Sequence, residues 1–130
     1  PQLASARTFK TSMAWHAAAG TAIYGECGGY MVLGRGLVDA KGARHEMLGL
    51  LPLETSFQTR KLHLGYRQLT PLSDHFTGVL GAHEFHYATT LTANGPPLFA
   101  AEDADGVFLD NMGLHIGQTC GSFAHIISGP

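Results

Sequence analysis

A cysteine set among glycines between two apolar runs constrains this chain more than any other feature. Thr21-Ala22-Ile23-Tyr24 is too short for a helix and is bounded by Gly20 and Gly25. It predicts a buried strand, in a parallel sheet because a helical pattern precedes it. Gly25-Glu26-Cys27-Gly28-Gly29 follows, and Tyr30-Met31-Val32-Leu33 then predicts one or two helical turns stopped by Gly34 and Gly36. G-x-C-x-G at a strand-to-helix junction is the cysteine form of the nucleophile elbow. Small neighbours are needed there, because a Cβ on either side of the strained turn would collide with adjacent backbone. The first N–H groups of the helix favour a thiolate. They also stabilise the oxyanion formed when sulfur attacks a carbonyl, with the Gly28 N–H as the first donor. The plainer role for Cys27 is a small buried hydrophobe; the strand before it and the helix after it favour the nucleophile.

A thiolate nucleophile needs a proton carrier for the leaving group. His125, in Gly121-Ser122-Phe123-Ala124-His125, is one candidate, and His83 and His86, which bracket Glu84, are others. On a strand, Glu84 and His86 share one face and His83 and Phe85 the other. Spacing alone does not choose between them. His16 and His45 are expected to be solvated.

The rest of the chain is mostly strand. Leu3, Ala6, Phe9, Met13 and Ala17 mark one face of an opening helix, with Arg7 pointing away from it. Residues 37–48 predict a hairpin turning at Lys41-Gly42. Residues 61–69 and 83–91 each predict one strand. Residues 98–101 and 107–109 flank an acidic turn, Glu102 to Asp105, to which no site is assigned. Residues 112–117 predict a strand, and 122–127 a helix or short turn. Arg67 predicts a surface ion pair. The order is α/β: a strand–elbow–helix unit with an antiparallel extension.

At 130 residues the chain suffices for one domain with one core. Hydrophobic residues make up 45% and charged residues 14%, which excludes a disordered or charged arm. Eight Lys+Arg against ten Asp+Glu leave no basic stripe, so no nucleic-acid partner is expected. No apolar run approaches the ~20 residues that span a bilayer, and no signal peptide opens the chain, so no membrane partner is expected. Two distant cysteines, Cys27 and Cys120, fit a reduced, cytoplasmic setting.

The stretch Tyr24-Gly25-Glu26-Cys27-Gly28-Gly29-Tyr30-Met31-Val32-Leu33-Gly34 resembles the glutaminase elbow of cobyrinic acid a,c-diamide synthases. Met47-Leu48-Gly49-Leu50-Leu51-Pro52-Leu53 and Leu64-Gly65-Tyr66-Arg67 follow in that family's order. Gly81-Ala82-His83-Glu84-Phe85-His86-Tyr87 is similar to its G-H-E-F-H-Y segment, with Ala82 as an extra small residue, and Gly121 to His125 is similar to its G-S-F-x-H.

The resemblance runs from about Pro1 to Ile127 and implies a class I glutamine amidotransferase domain with a flavodoxin-like sheet. It implies Cys27 as nucleophile, His125 as proton shuttle, and glutamine as substrate, hydrolysed through a γ-glutamyl thioester. Ammonia would pass to an N-terminal ATP-binding synthetase domain, absent from this chain. That domain would use ATP and Mg²⁺ to amidate the a and c carboxylates of cobyrinate or hydrogenobyrinate. No cofactor is implied for this chain itself.

The Glu that many class I amidotransferases carry two residues after the histidine is here Ile127, so no third member of a triad is visible. Glu84 and His86 are left with a substrate or interface role. Pro1-Gln2-Leu3 resembles the P-E-L after the family's oxyanion glycines, so the chain is expected to begin inside the domain, its sheet incomplete on the N-terminal side. Self-association through the exposed sheet edge and weak or absent glutaminase activity are expected to follow.

Two other readings share these residues. One is a cysteine hydrolase of another amide or ester, which the elbow alone does not distinguish. The other is a non-catalytic domain that binds metal through His83, Glu84, His86 and His63. With no H-E-x-x-H and no paired C-x-x-C, no metal is assigned.

Overall fold

The strand expected before the elbow spans Ile23–Glu26 (β1), and the helix after it spans Gly28–Leu33 (α2). The computed structural model describes residues 2–58 and 60–129, with side chains described from Phe9 onward. Helix α1 (Gln2–Ala18) precedes β1. After α2 come β2 (Gly36–Val38), β3 (Arg44–Glu46), β4 (Leu53–Ser56), β5 (His63–Pro71), β6 (Leu80–His86) and β7 (Thr89–Ala93). The chain ends in β8 (Phe99–Glu102), β9 (Phe108–Met112), β10 (Leu114–Ile116), β11 (Thr119–Ser122) and β12 (His125–Ser128).

The strands form three sheets, ordered β1-β11-β10, β12-β6-β5-β8-β9 and β3-β2-β4-β7. β1 pairs with β11 in parallel, as expected, with Gly25 opposite Gly121 and Glu26 opposite Ser122. This pair and α2 make the strand–elbow–helix unit. The five-stranded sheet is antiparallel throughout, so the class is α/β with a large antiparallel extension.

Two apolar clusters hold the layers together. One joins α2 to β4 and the C-terminal strands through Tyr30, Met31, Leu33, Leu51, Leu53, Leu114 and Phe123. The other lies within the five-stranded sheet around Leu69, Leu98 and Phe99, with Cys120 and Ala124 against it. Full burial of such a side chain stabilises by about 1.5–3 kcal/mol.

Several expectations are corrected. β1 is only partly buried, and Tyr24 is 40% exposed, because β11 covers one side and no other described strand covers the second. α1 forms, but Phe9 and Trp15 are exposed; Met13 alone of the expected face is seen to pack on the first cluster. The side chains of Leu3, Ala6 and Arg7, and all of Pro1, lie outside the described residues.

Residues 83–91 are not one strand. The chain leaves the five-stranded sheet after His86 and enters the four-stranded one at Thr89, pivoting on fully buried Ala88. Residues 122–127 form no helix. The Ser122 hydroxyl oxygen accepts the Ala124 N–H at 3.1 Å, a side-chain turn that competes with helix formation and sends the chain into β12.

The 37–48 hairpin forms as expected, with Gly42 at φ 89. The acidic turn is closed by Asp103, whose carboxylate accepts the N–H groups of Asp105 and Val107. No described helix is long and apolar enough to cross a membrane.

Candidate functional site

Cys27 sits between β1 and α2 with φ 53 and ψ −110, and it alone among the described non-glycine residues has positive φ. Such a conformation costs about 1–3 kcal/mol and persists only where the surroundings impose it. Here they do. The Cys27 N–H donates to the Ser122 carbonyl at 2.9 Å, extending the parallel β1–β11 pairing one residue past the strand. The Met31 N–H then bonds back to the Cys27 carbonyl at 3.1 Å and starts the helix.

Gly25 shows why a small residue is required on the strand side. A Cβ there would stand 2.8 Å from the Gly29 backbone and 2.9 Å from Leu33 Cδ1. Gly121, across the sheet, is equally confined, since a Cβ on it would strike the Gly25 carbonyl and the Tyr30 ring. Gly28 and Gly29 themselves have open space at the Cβ position, so the collision expected on both sides of the cysteine is confined to the strand side. Gly28 is exposed at the first turn of α2, where backbone N–H groups have no helical acceptor.

β11 carries the chain from beside β1 to His125, which opens β12 opposite His83 of β6. The His125 ring lies next to Glu26, the residue before the cysteine. Its Nδ1 is 3.3 Å from Glu26 Oε1. Glu26 Oε2 accepts the Ile126 N–H at 2.9 Å and the Tyr24 hydroxyl at 2.9 Å. Burial, then the bond to Glu26, pushes the Tyr24 phenol well above its ordinary range, so it stays a donor.

The structure therefore brings His125 to the elbow through Glu26. It shows no hydrogen bond between the Cys27 sulfur and the His125 ring among the described residues. Sequence reasoning missed Glu26. The available signal was its place at the end of a strand whose parallel neighbour leads directly to the histidine.

Glu84 and His86 do not join this group, whereas His83 is the cross-strand neighbour of His125, with no hydrogen bond between the two rings among the described residues. Glu84 and His86 share the buried face of β6 while His83 and exposed Phe85 take the other, as the strand period requires. Glu84 Oε2 lies 2.6 Å from His86 Nε2, and Glu84 Oε1 accepts from Arg67 Nε at 2.9 Å. The Arg67–Glu84 pair is buried, with side chains 13% and 10% exposed, rather than at the surface as expected. Burial pushes the Glu84 carboxyl up, but hydrogen bonds and charge from His86 and Arg67 outweigh it and hold the group below the usual carboxylate range. His63 joins from β5, whereas His83 faces away beside Tyr66.

His16 is exposed and 3.4 Å from the Thr21 hydroxyl, and His45 is exposed and paired with Asp39 at 2.8 Å. Neither belongs to a site.

A model of the CobB/CobQ-like glutamine amidotransferase domain matches residues 1–130. Hydrogenobyrinate a,c-diamide synthase of Rhizobium meliloti is 53% identical over 128 residues, covering 97% of this chain and 30% of the relative. The protein of that name from Brucella abortus is also 53% identical over 128 residues, 97% of this chain and 29% of its own. That of Rhodobacter capsulatus is 46% identical over 132 residues, 98% of this chain and 30% of its own. The chain thus spans about 30% of the length of these relatives. With the whole of it matched, and a cysteine elbow between β1 and α2, the chain belongs to the CobB/CobQ-like glutamine amidotransferase domain family.

Proposed function

We propose that this domain is the glutaminase part of a hydrogenobyrinate a,c-diamide synthase. In that reading it releases ammonia from glutamine for amidation of the a and c carboxylates of hydrogenobyrinate in cobalamin biosynthesis. The observation that carries it is the strained elbow at Cys27, joined through β11 and Glu26 to His125. The names of the relatives support the corrin substrate.

In this mechanism the Cys27 thiolate attacks the side-chain amide carbon of glutamine. The C=O electrons move onto oxygen, and the Gly28 N–H is the donor placed to stabilise the charge. The tetrahedral intermediate collapses by breaking the C–N bond, and His125 supplies the proton that lets nitrogen leave as ammonia. A γ-glutamyl thioester remains on Cys27. His125 then takes a proton from water, which attacks the thioester, and glutamate and the thiolate are released.

Glu26 positions His125. A carboxylate only accepts, so Nδ1 carries the ring proton toward Glu26 and Nε2 is left to exchange protons at the reacting atoms.

ATP and Mg²⁺ belong, in this proposal, to the remainder of the longer protein. No Gly-Lys-Ser/Thr of a phosphate-binding loop occurs in these 130 residues. The partner is accordingly a synthetase domain that receives the ammonia.

The test is covalent labelling of the full-length protein with a glutamine-analogue electrophile, together with glutamate release from glutamine. Labelling at Cys27 that glutamine protects and that Cys27→Ser abolishes is the expected result. Labelling by generic ester probes without protection by glutamine would mark a hydrolase of another substrate.

A further inference from the structure

At one end of the paired strands β5 and β6 polarity is inverted, although Leu69, Leu80 and Ala82 keep the other end of the same inward face apolar. Leu64, Tyr66 and Phe85 point outward and are exposed, while Arg67, Glu84 and His86 point inward. A buried strand face normally carries apolar side chains, so the inward polar group calls for an explanation that packing does not give.

His63 on β5 faces His86 on β6 in the antiparallel register. Their rings stack with centroids 4.5 Å apart and planes 8° from parallel. With Glu84, each offers one ligand-capable atom, and these atoms lie within 4.8 Å of one another.

The hydrogen bonds define what the group lacks. His86 Nδ1 is 3.0 Å from the Ala88 carbonyl oxygen. A carbonyl only accepts, so Nδ1 bears the proton, and in the neutral ring Nε2 bears the lone pair. That lone pair faces Glu84 Oε2 at 2.6 Å. At that distance the two share a proton, carried by the ring or by the carboxyl; an ion bound there would take the proton's place, with nitrogen and oxygen moving apart to the roughly 3 Å that two bonds of about 2 Å to a common ion require. A proton on His86 does nothing for His63 Nε2, which is buried and has no partner. Such an atom costs about 1–3 kcal/mol. One metal ion in place of that proton, shared by the three side chains, also gives His63 Nε2 a partner.

We propose that His63, Glu84 and His86 bind a single zinc ion. Two imidazoles and a carboxylate are a common zinc donor set, and three protein ligands leave a fourth position open. The outer partners are already in place. The Ala88 carbonyl fixes the His86 tautomer, and Arg67 holds the other oxygen of Glu84. The group borders a cavity of about 620 Å³, also lined by Tyr30, Lys61, Thr89 and Asp110, which gives a path of entry and room for a fourth ligand. The ion ties β5 to β6 beneath Phe123, whose ring stacks on His86 at 4.0 Å, two residues before His125. The site is separate from Cys27 and does not depend on what Cys27 attacks.

The test uses the full-length protein made without a polyhistidine tag, stripped with a chelator and titrated with zinc sulfate against a chromophoric competitor. The wild type is expected to hold one more equivalent of zinc than His63→Leu or His86→Leu, and Cys27→Ser is expected to match the wild type. Zinc is expected to raise the melting temperature of the wild type and of Cys27→Ser but not of His63→Leu. His63 is only half-buried, so His63→Leu carries the comparison if His86→Leu does not fold. Equal zinc in the wild type and His63→Leu would overturn the proposal. So would loss of the equivalent in Cys27→Ser, which would put the ion at the elbow.

Discussion

Glu26 Oε1 lies 3.3 Å from His125 Nδ1, although 99 residues separate the two in sequence. The parallel β1–β11 register makes this contact, since it sets Glu26 beside Ser122, from which the chain reaches His125 in three residues. If Glu26 fixes the tautomer and orientation of His125, Glu26→Gln keeps an acceptor for the Ile126 N–H and loses the charge. Glutaminase kcat is then expected to fall on the order of 10²-fold, the scale of general acid–base assistance, with a smaller change in KM. A kcat equal to wild type would remove Glu26 from the mechanism.

The two cysteines are expected to differ sharply in reactivity. Cys120 is buried in the sheet, and burial pushes its thiol up to about 11. Cys27 is half-buried at the elbow. Iodoacetamide near neutral pH is therefore expected to add one carboxamidomethyl group, at Cys27, with Cys120 labelled only in denaturant. Peptide mass spectrometry of the wild type and Cys27→Ser checks this; equal labelling of both cysteines would contradict the placement of Cys120.

Arg67 and Glu84 form a buried pair, so removing Arg67 leaves the Glu84 carboxylate with His86 alone as its side-chain partner. Arg67→Met is expected to destabilise the fold by about 3 kcal/mol in chemical denaturation. The pH dependence follows from the direction of the shift. Glu84 is held below its ordinary value of 4.5, so the folded state releases its proton more readily than the unfolded state. The stability this contributes is fully present above that value and is lost as pH falls through the lower, folded-state value. The gap in melting temperature between wild type and Arg67→Met is expected to narrow across that acid window. A gap constant with pH would show that Arg67 acts by packing alone.

The elbow was legible from sequence because its physics is local: a tight strand-to-helix reversal needs residues without side chains beside the nucleophile, and the glycines flanking the cysteine show it. The hairpin at Gly42 was legible for the same reason. The break between β6 and β7 was not, since β-forming residues continue through Tyr87 to Thr90 and period alone carries no mark of a change of sheet. The Ser122 turn was hidden because serine before a short apolar run also suits a helix start. Glu26 and the inward cluster at His63, Glu84 and His86 depend on which strands become neighbours, and that pairing is set by the whole fold.

Gly25 tests the elbow itself. A Cβ there would meet the Gly29 backbone and Leu33. Gly25→Ala is expected to cost about 1–3 kcal/mol, the usual range for overpacking, and to lower glutaminase activity by shifting Cys27. Gly28→Ala, at a position with open space, is expected to cost less. Equal thermal stability of the two variants would contradict the close approach.

The outward face of β5 and β6 leaves Leu64 51%, Tyr66 63% and Phe85 50% exposed, and Leu62 and Tyr87 extend the patch. Contiguous apolar surface of this kind marks a contact face. β1 adds a second route to association, since its outer side has no strand partner among the described residues. The 130-residue chain is therefore expected to self-associate at high concentration. Leu64→Glu and Phe85→Glu separate the two routes. If the patch drives association, either substitution shifts the chain toward monomer in size-exclusion chromatography with light scattering. If the β1 edge drives it, both variants associate like wild type, and a proline placed at Tyr24, whose N–H points away from β11, blocks it instead. A wild-type monomer at every concentration would refute both routes.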